Sequence, residues 1–136
     1  MKIQERGLTI VELLIVMVII GILTAIALPT YDNHVRKGRR AEAQTLMMDI
    51  ATKEQQFLLD ARTYTDTIGG GGLNIATSGW TCAATCTNAS YSIAVASTAG
   101  PPTFTITATA QGKQAPDGNL TLDEKGNRTR AGNPGW

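Results

Sequence analysis

Few side chains in this sequence are equipped for chemistry, and their spacing excludes most reactions. His34 is the single histidine, and Cys82 and Cys86 are the two cysteines. No Ser-His-Asp set, Cys-His pair or metal cluster can be assembled around one histidine with no cysteine or second histidine near it. His34 therefore reads as a surface or packing residue, and no enzyme activity, metal or cofactor is expected. Cys82 and Cys86 are spaced C-x3-C. Redox or zinc chemistry would need C-x-x-C spacing or more ligands, so the pair reads as a local disulfide that stiffens a loop after Trp80. Closing so short a loop contributes roughly 2 kcal/mol at most. Gly69-Gly70-Gly71-Gly72 is no phosphate cradle, because no strand leads in and no Lys-Ser/Thr pair follows; it reads as a flexible hinge. Arg36, Lys37, Arg39 and Arg40 could meet lipid phosphates, DNA or carboxylates of a neighbouring chain. Without interleaved aromatics they read as a solvated helix face. The aspartates near the C-terminus fail the spacing of a calcium loop and fit turns instead. Glu12 is the exception: it stands inside an apolar run, where a carboxylate costs a few kcal/mol unless it finds a partner, and the run itself offers no cation.

The elements that must hold these residues follow from periodicity. Between Leu13 and Leu28 there is no charge, and Thr24 is the one polar side chain. As a helix, residues 8–28 would rise roughly 30 Å, about one hydrocarbon thickness. A proline at 29 kinks a helix rather than ending it here, because an amphipathic pattern follows. Ala43, Leu46, Met47, Ile50, Ala51, Phe57, Leu58 and Ala61 recur at three- and four-residue steps, with Glu42, Gln44, Asp49, Lys53, Glu54 and Gln55 between them. One helix is expected to about Arg62, then an aperiodic loop from Thr63 to Asn88. Tyr91, Ile93 and Val95 alternate with small residues, as do Phe104, Ile106 and Ala108 with threonines, around a Gly100-Pro101-Pro102 turn. Asn119–Asp123 is a third strand, and Arg128–Arg130 a fourth. Trp136 is expected to pack back on the sheet. The chain has 136 residues and a formal charge of +1, so it is no polycation. What lies beyond the apolar run suffices for one small domain with a modest core.

Gly7-Leu8-Thr9-Ile10-Val11-Glu12, followed by the unbroken apolar run, resembles the class III signal of type IV prepilins. The resemblance covers Gly7–Pro29 most specifically and fades along the helix. It implies cleavage between Gly7 and Leu8 by the prepilin peptidase, methylation of the Leu8 amine by the same enzyme, and Glu12 as the assembly carboxylate. Leu8 stands where the family usually has Phe. Gly21 and Pro29 fall where such pilins carry a helix-loosening glycine and proline. An ordinary secretory signal has a shorter apolar core and a small-residue site after it, which Ala25, Ala27 and Pro29 do not provide. GRRAEAQ and FLLDARTYT resemble PilE-class minor pilins.

The implied architecture is an α+β type IV pilin fold: a long N-terminal transmembrane and amphipathic helix on an antiparallel sheet of three or four strands. Residues 1–7 are the cleaved leader, 8–28 the transmembrane and fibre-core helix, 29–62 the amphipathic helix, 63–90 the loop and 91–136 the sheet and tail. The implied function is a structural subunit, a minor pilin, of a type IV pilus supporting twitching motility, adhesion or DNA uptake. Its partners would be other pilin subunits, the peptidase, an inner-membrane assembly platform and lipid, with DNA binding open. The soluble part would lie in the periplasm and then on the cell surface. Arg36, Lys37, Arg39 and Arg40 outnumber Lys2 and Arg6, and that bias alone would place the C-terminus inside. The signal junction and the cysteine pair, which suits an oxidising compartment, argue the other way. A type II secretion pseudopilin and a major pilin remain alternatives.

Overall fold

The computed structural model describes residues 9–136, so Gly7 and Leu8 lie outside the described residues. The first helix, α1, is Ile10–Ala61 and passes through Gly21 and Pro29. Thr9 caps it: the Glu12 amide donates to Thr9 Oγ1 at 3.2 Å, and the Leu13 amide reaches the Thr9 carbonyl. A threonine three residues before a glutamate is the start of a capping box, and Glu12 also lies in the first turn, where the helix dipole favours negative charge. Pro29 cannot donate to the carbonyl four residues back. Thr24 and Thr30 turn their hydroxyls onto the carbonyls of Ile20 and Ile26, so neither carries an unsatisfied group into the apolar surroundings. The helix ends on Arg62, which adopts a left-handed φ of 58° and donates its amide to the Leu58 carbonyl.

The chain divides into two compact units, one ending at Lys37 and the other Gly38–Trp136. In the first, the large apolar side chains from Ile10 to Leu28 are between 48% and 82% exposed. The helix they belong to is long and apolar enough to cross a membrane.

In the second unit the sheet has seven strands in sequential order, all antiparallel. They are β1 (Thr81–Cys82), β2 (Cys86–Thr87), β3 (Tyr91–Ala99), β4 (Pro102–Ala110), β5 (Leu120–Asp123), β6 (Arg128–Arg130) and β7 (Asn133–Pro134). The expected three or four strands correspond to β3–β6. The other three are two residues each, too short to display a period of two in sequence. Cys86, Ile93, Ala108 and Leu120 form one row across the sheet, and Val95, Ile106 and Leu122 another. Ala43, Leu46, Met47 and Ile50 of α1 join these rows in one core. Each fully buried Leu, Ile, Val or Met among them contributes about 1.5–3 kcal/mol, and the alanines less. The first row runs on to Arg130 and the second to Arg128. At the sheet edge a long cationic side chain can continue an apolar row and still hold its head in water.

Two expectations besides the strand count change. Glu54, placed by its type among the solvent positions, is fully buried. The four glycines are a compact turn and not a hinge. Gly69 donates to the Ala83 carbonyl, Gly72 to Gly69, Leu73 to Thr67 and Asn74 to Gly69. A Cβ on Gly72 would collide with the Thr67 carbonyl, and one on Gly69 with the Cys82 and Ala83 carbonyls. Close backbone approach is what those two positions require.

Candidate functional site

The N-terminal candidate is Glu12. Its backbone is fixed by the Thr9 cap, and the side chain is exposed among apolar neighbours. Among the described residues no ion pair forms at Glu12. Sequence reasoning found the carboxylate and missed the cap, although Thr9-Ile10-Val11-Glu12 carries the signature.

The soluble unit treats a charge differently. Asp117 ends a short 3-10 helix, Gly112–Asp117, and its side chain is 8% exposed. Arg40 Nε lies 2.8 Å from its Oδ2, and Arg130 Nη1 lies 3.8 Å from Oδ1. Tyr91 donates its hydroxyl to Oδ2 at 2.9 Å, and Gln114 Nε2 donates to both the tyrosine oxygen and Oδ2 at 3.2 Å. Four side chains from α1, β3, the 3-10 helix and β6 thus converge on one carboxylate. Burial pushes the Tyr91 hydroxyl up to about 12; the Gln114 bond works against the shift and donation to Asp117 adds to it. So arranged, the cluster ties α1, β3, the 3-10 helix and β6 to one another. Arg40, expected on a solvated helix face with the other cations of its run, is instead committed to Asp117, because the 3-10 helix brings that carboxylate against α1. The cluster itself was not legible in the sequence, where the C-terminal aspartates read as turns.

Glu54 accepts the Thr65 amide at Oε2, 3.1 Å away, while Oε1 is buried without a hydrogen bond. Burial raises its pKa, the Thr65 bond opposes that, and Asp66 adds to it. Asp66 in turn accepts the Ser97 amide at 2.7 Å, which ties the loop to β3.

Cys82 and Cys86 are bonded to each other across the β1–β2 hairpin. The hairpin tip accepts amides from Ile68 and Gly69, so the disulfide braces the loop against the glycine turn. At the opposite sheet edge Arg128 lies 4.8 Å from the Trp136 ring, and Trp136 Nε1 donates to the Thr121 carbonyl at 3.0 Å. Trp136 does pack back on the sheet, as expected.

Residues 29–121 match the family described as type IV minor pilin ComP, DNA uptake sequence receptor. The chain belongs to this pilin family. Residues 3–28 of the pilin match the prokaryotic N-terminal methylation motif. Similar proteins include the type IV major pilin protein PilA of Myxococcus xanthus, 36% identical over 46% of this chain and 29% of its own length. A fimbrial protein of Moraxella nonliquefaciens is 39% identical over 46% of this chain and 40% of its own, and the type IV major fimbrial protein FimA of Dichelobacter nodosus 37% identical over the same shares. The pilin thus spans well under half the length of these relatives. By family it is a structural type IV pilin and not an enzyme, and its apolar helix is long enough for a membrane anchor.

Proposed function

We propose that this pilin is a minor subunit of a type IV pilus that takes up DNA. The observation that carries this reading is the family match, which runs from Pro29 through most of the soluble unit. Residues 1–7 are removed by the prepilin peptidase between Gly7 and Leu8, and Leu8 is methylated; the methylation motif over residues 3–28 supports both steps. Residues 8–28 anchor the chain in the inner membrane, with residues 29–62, 63–90 and 91–136 on the periplasmic side, and an assembly platform passes it into the fibre. Gly21 and Pro29 loosen the helix for that passage. In the fibre Glu12 meets the Leu8 amine of a neighbour, which neutralises two charges together.

The outward pole of α1 supports assembly. Ala41, Thr45, Met48, Thr52, Gln55 and Leu59 are exposed, three or four residues apart, and carry no charge. Thr45 and Thr52 bond their hydroxyls to the Ala41 and Met48 carbonyls, so both turn inward what polarity they have. A pole facing only water would be the most charged part of such a helix.

For DNA, Lys125 in the β5–β6 turn and Arg128 and Arg130 of β6 offer three cations, Arg128 lying against Trp136, Lys125 4.0 Å from Glu124 and Arg130 3.8 Å from Asp117, partners that phosphates would displace. The test is electrophoretic retardation of duplex DNA by the full chain in detergent across a salt series. Binding should weaken with a log–log slope of about −3, at about −0.9 per phosphate neutralised. Binding that ignores salt, or none at low salt, overturns the DNA reading. The names of the relatives favour a second reading as a major, shaft-forming pilin. Mass spectrometry of sheared surface fibres separates the two by abundance.

A further inference from the structure

The exposed residues Ala41, Thr45, Met48, Thr52, Gln55 and Leu59 follow one another along α1 in alternating steps of four and three. That alternation keeps a 3.5-residue period over roughly 27 Å of helix, the period of a coiled-coil seam. In heptad terms Thr45, Thr52 and Leu59 take the a positions, and Ala41, Met48 and Gln55 the d positions. Ala43, Ile50 and Phe57 then fall at f, on the opposite side, and all three lie in or against the core under the sheet. The sheet therefore leaves the seam uncovered. Among the described residues of the soluble unit, Met48 and Leu59 are the exposed large hydrophobic side chains, at 38% and 83%, and both stand on the seam. Arg128 Nη2 reaches Met48 Sδ at 3.9 Å from the flank. Thr45 and Thr52 donate their hydroxyls to carbonyls one turn back, so these two β-branched side chains add little polarity to it.

Resting on the reading of a membrane-anchored pilin, we propose that this seam docks on the same seam of a second copy while both chains are in the membrane. The product is a parallel, in-register, two-stranded coiled coil. The contact is isologous, so it closes at two copies and does not propagate. Charge selects the orientation. Glu42, Asp49 and Gln56 occupy the e positions, whereas Gln44, Ala51 and Leu58 occupy g. A parallel pair sets e against g of the partner, so no like charges meet; an antiparallel pair would set one acidic row against the other. β-branched residues at a, with unbranched ones at d, favour two strands. Two threonines and a glutamine keep the seam weak. Sharing one membrane supplies the effective concentration that a free soluble unit lacks. Pairing covers the uncharged pole of α1, so the dimer is a resting form that opens before the subunit meets other pilins through that pole.

The experiment reconstitutes the full chain, with one added cysteine, in phosphatidylcholine vesicles that hold no other pilus protein. Copper-phenanthroline oxidises the new thiols, the Cys82–Cys86 bridge stays in place, and non-reducing gels score the linked dimer. Met48→Cys, Thr52→Cys, Gln55→Cys and Leu59→Cys should each give at least about fivefold more dimer than Lys53→Cys and Asp60→Cys, which are exposed off the seam. Adding Thr52→Glu to Met48→Cys should cut its yield about fivefold, because like charges would then face each other across the seam, and adding Thr52→Ile should raise it. Equal yields on and off the seam, or no response to Thr52→Glu, overturn the dimer. So does a mixture of Met48→Cys and Leu59→Cys chains that links better than either alone, since that requires an axially shifted contact. The four seam positions are independent readouts, so a variant that melts below wild type in detergent is left out and the others decide. Absence of the wild-type chain from sheared fibres would instead sink the pilus reading, whatever the pattern of links.

Discussion

Asp117 and Glu12 are both carboxylates placed where a charge is disfavoured, one buried in the soluble unit and one exposed in the apolar stretch of α1, and the chain treats them in opposite ways. Asp117 is surrounded by Arg40, Arg130, Tyr91 and Gln114. Every one of these comes from the same unit, so folding alone compensates the charge. Glu12 has a capped backbone and no ion pair among the described residues. A charge matched inside the fold contributes to the fold, whereas one left open beside an apolar surface waits for a partner from outside. On the proposed reading, the distinction separates the part of this pilin that folds alone from the part that joins others.

The largest effect expected breaks the matched side. Asp117→Ala strands Arg40 and the Tyr91 hydroxyl in a buried corner, at about 3 to 5 kcal/mol. Thermal melting of the full chain in detergent should fall by about 10 °C or more. A double replacement, Arg40→Met with Asp117→Leu, should lose much less, because no single charge is left behind. A mild Asp117→Ala phenotype would mean that the corner is not compensated by this carboxylate.

A smaller effect concerns the brace at the other edge. Replacing Cys82 and Cys86 with serine should cost roughly 2 kcal/mol or less, since the closed loop is short. Limited proteolysis should then cut the glycine turn first, where Ile68 and Gly69 lean on the hairpin tip. Unchanged cleavage there would remove the bracing role.

Glu54 sharpens the comparison, because it is the one carboxylate of the soluble unit whose burial is matched on a single oxygen. Burial raises its folded-state pKa above that of the unfolded chain. Its contribution to stability is therefore fully present below the unfolded value and is lost as pH rises through the folded one. Glu54→Gln should flatten that decline and melt later than wild type at alkaline pH, by about 1 kcal/mol. Parallel pH profiles for the two proteins would contradict it.

What was legible in the sequence follows the range of the signal. The apolar stretch around Glu12, the helical stripe Ala43–Leu46–Met47–Ile50 and the alternation in β3 to β6 are local and periodic, and the structure has them. The Cys82–Cys86 bridge was legible because only two cysteines exist. Glu54 was misread because residue type suggests solvent, while its position on the helix pointed to the core. The glycine run suggested freedom; its backbone hydrogen bonds and tight approaches are tertiary and leave no trace in four identical letters. The Arg40–Asp117 pair joins residues far apart in the chain, and each looks ordinary in its own neighbourhood. The Thr9 cap was present in the sequence and was passed over in favour of the charge beside it.

The central claim is that Glu12 serves assembly and not the fold, and one measurement addresses it directly: the ratio of sheared-fibre to membrane protein for Glu12→Ala, taken alongside its melting. We expect normal insertion and processing, melting unchanged from wild type, and a fibre ratio lowered at least about tenfold, the loss of about one well-formed interfacial charge pair. Glu12→Asp should fall between, since it keeps the charge and loses reach. A wild-type ratio for Glu12→Ala would contradict the account, as would a melting loss like that of Asp117→Ala.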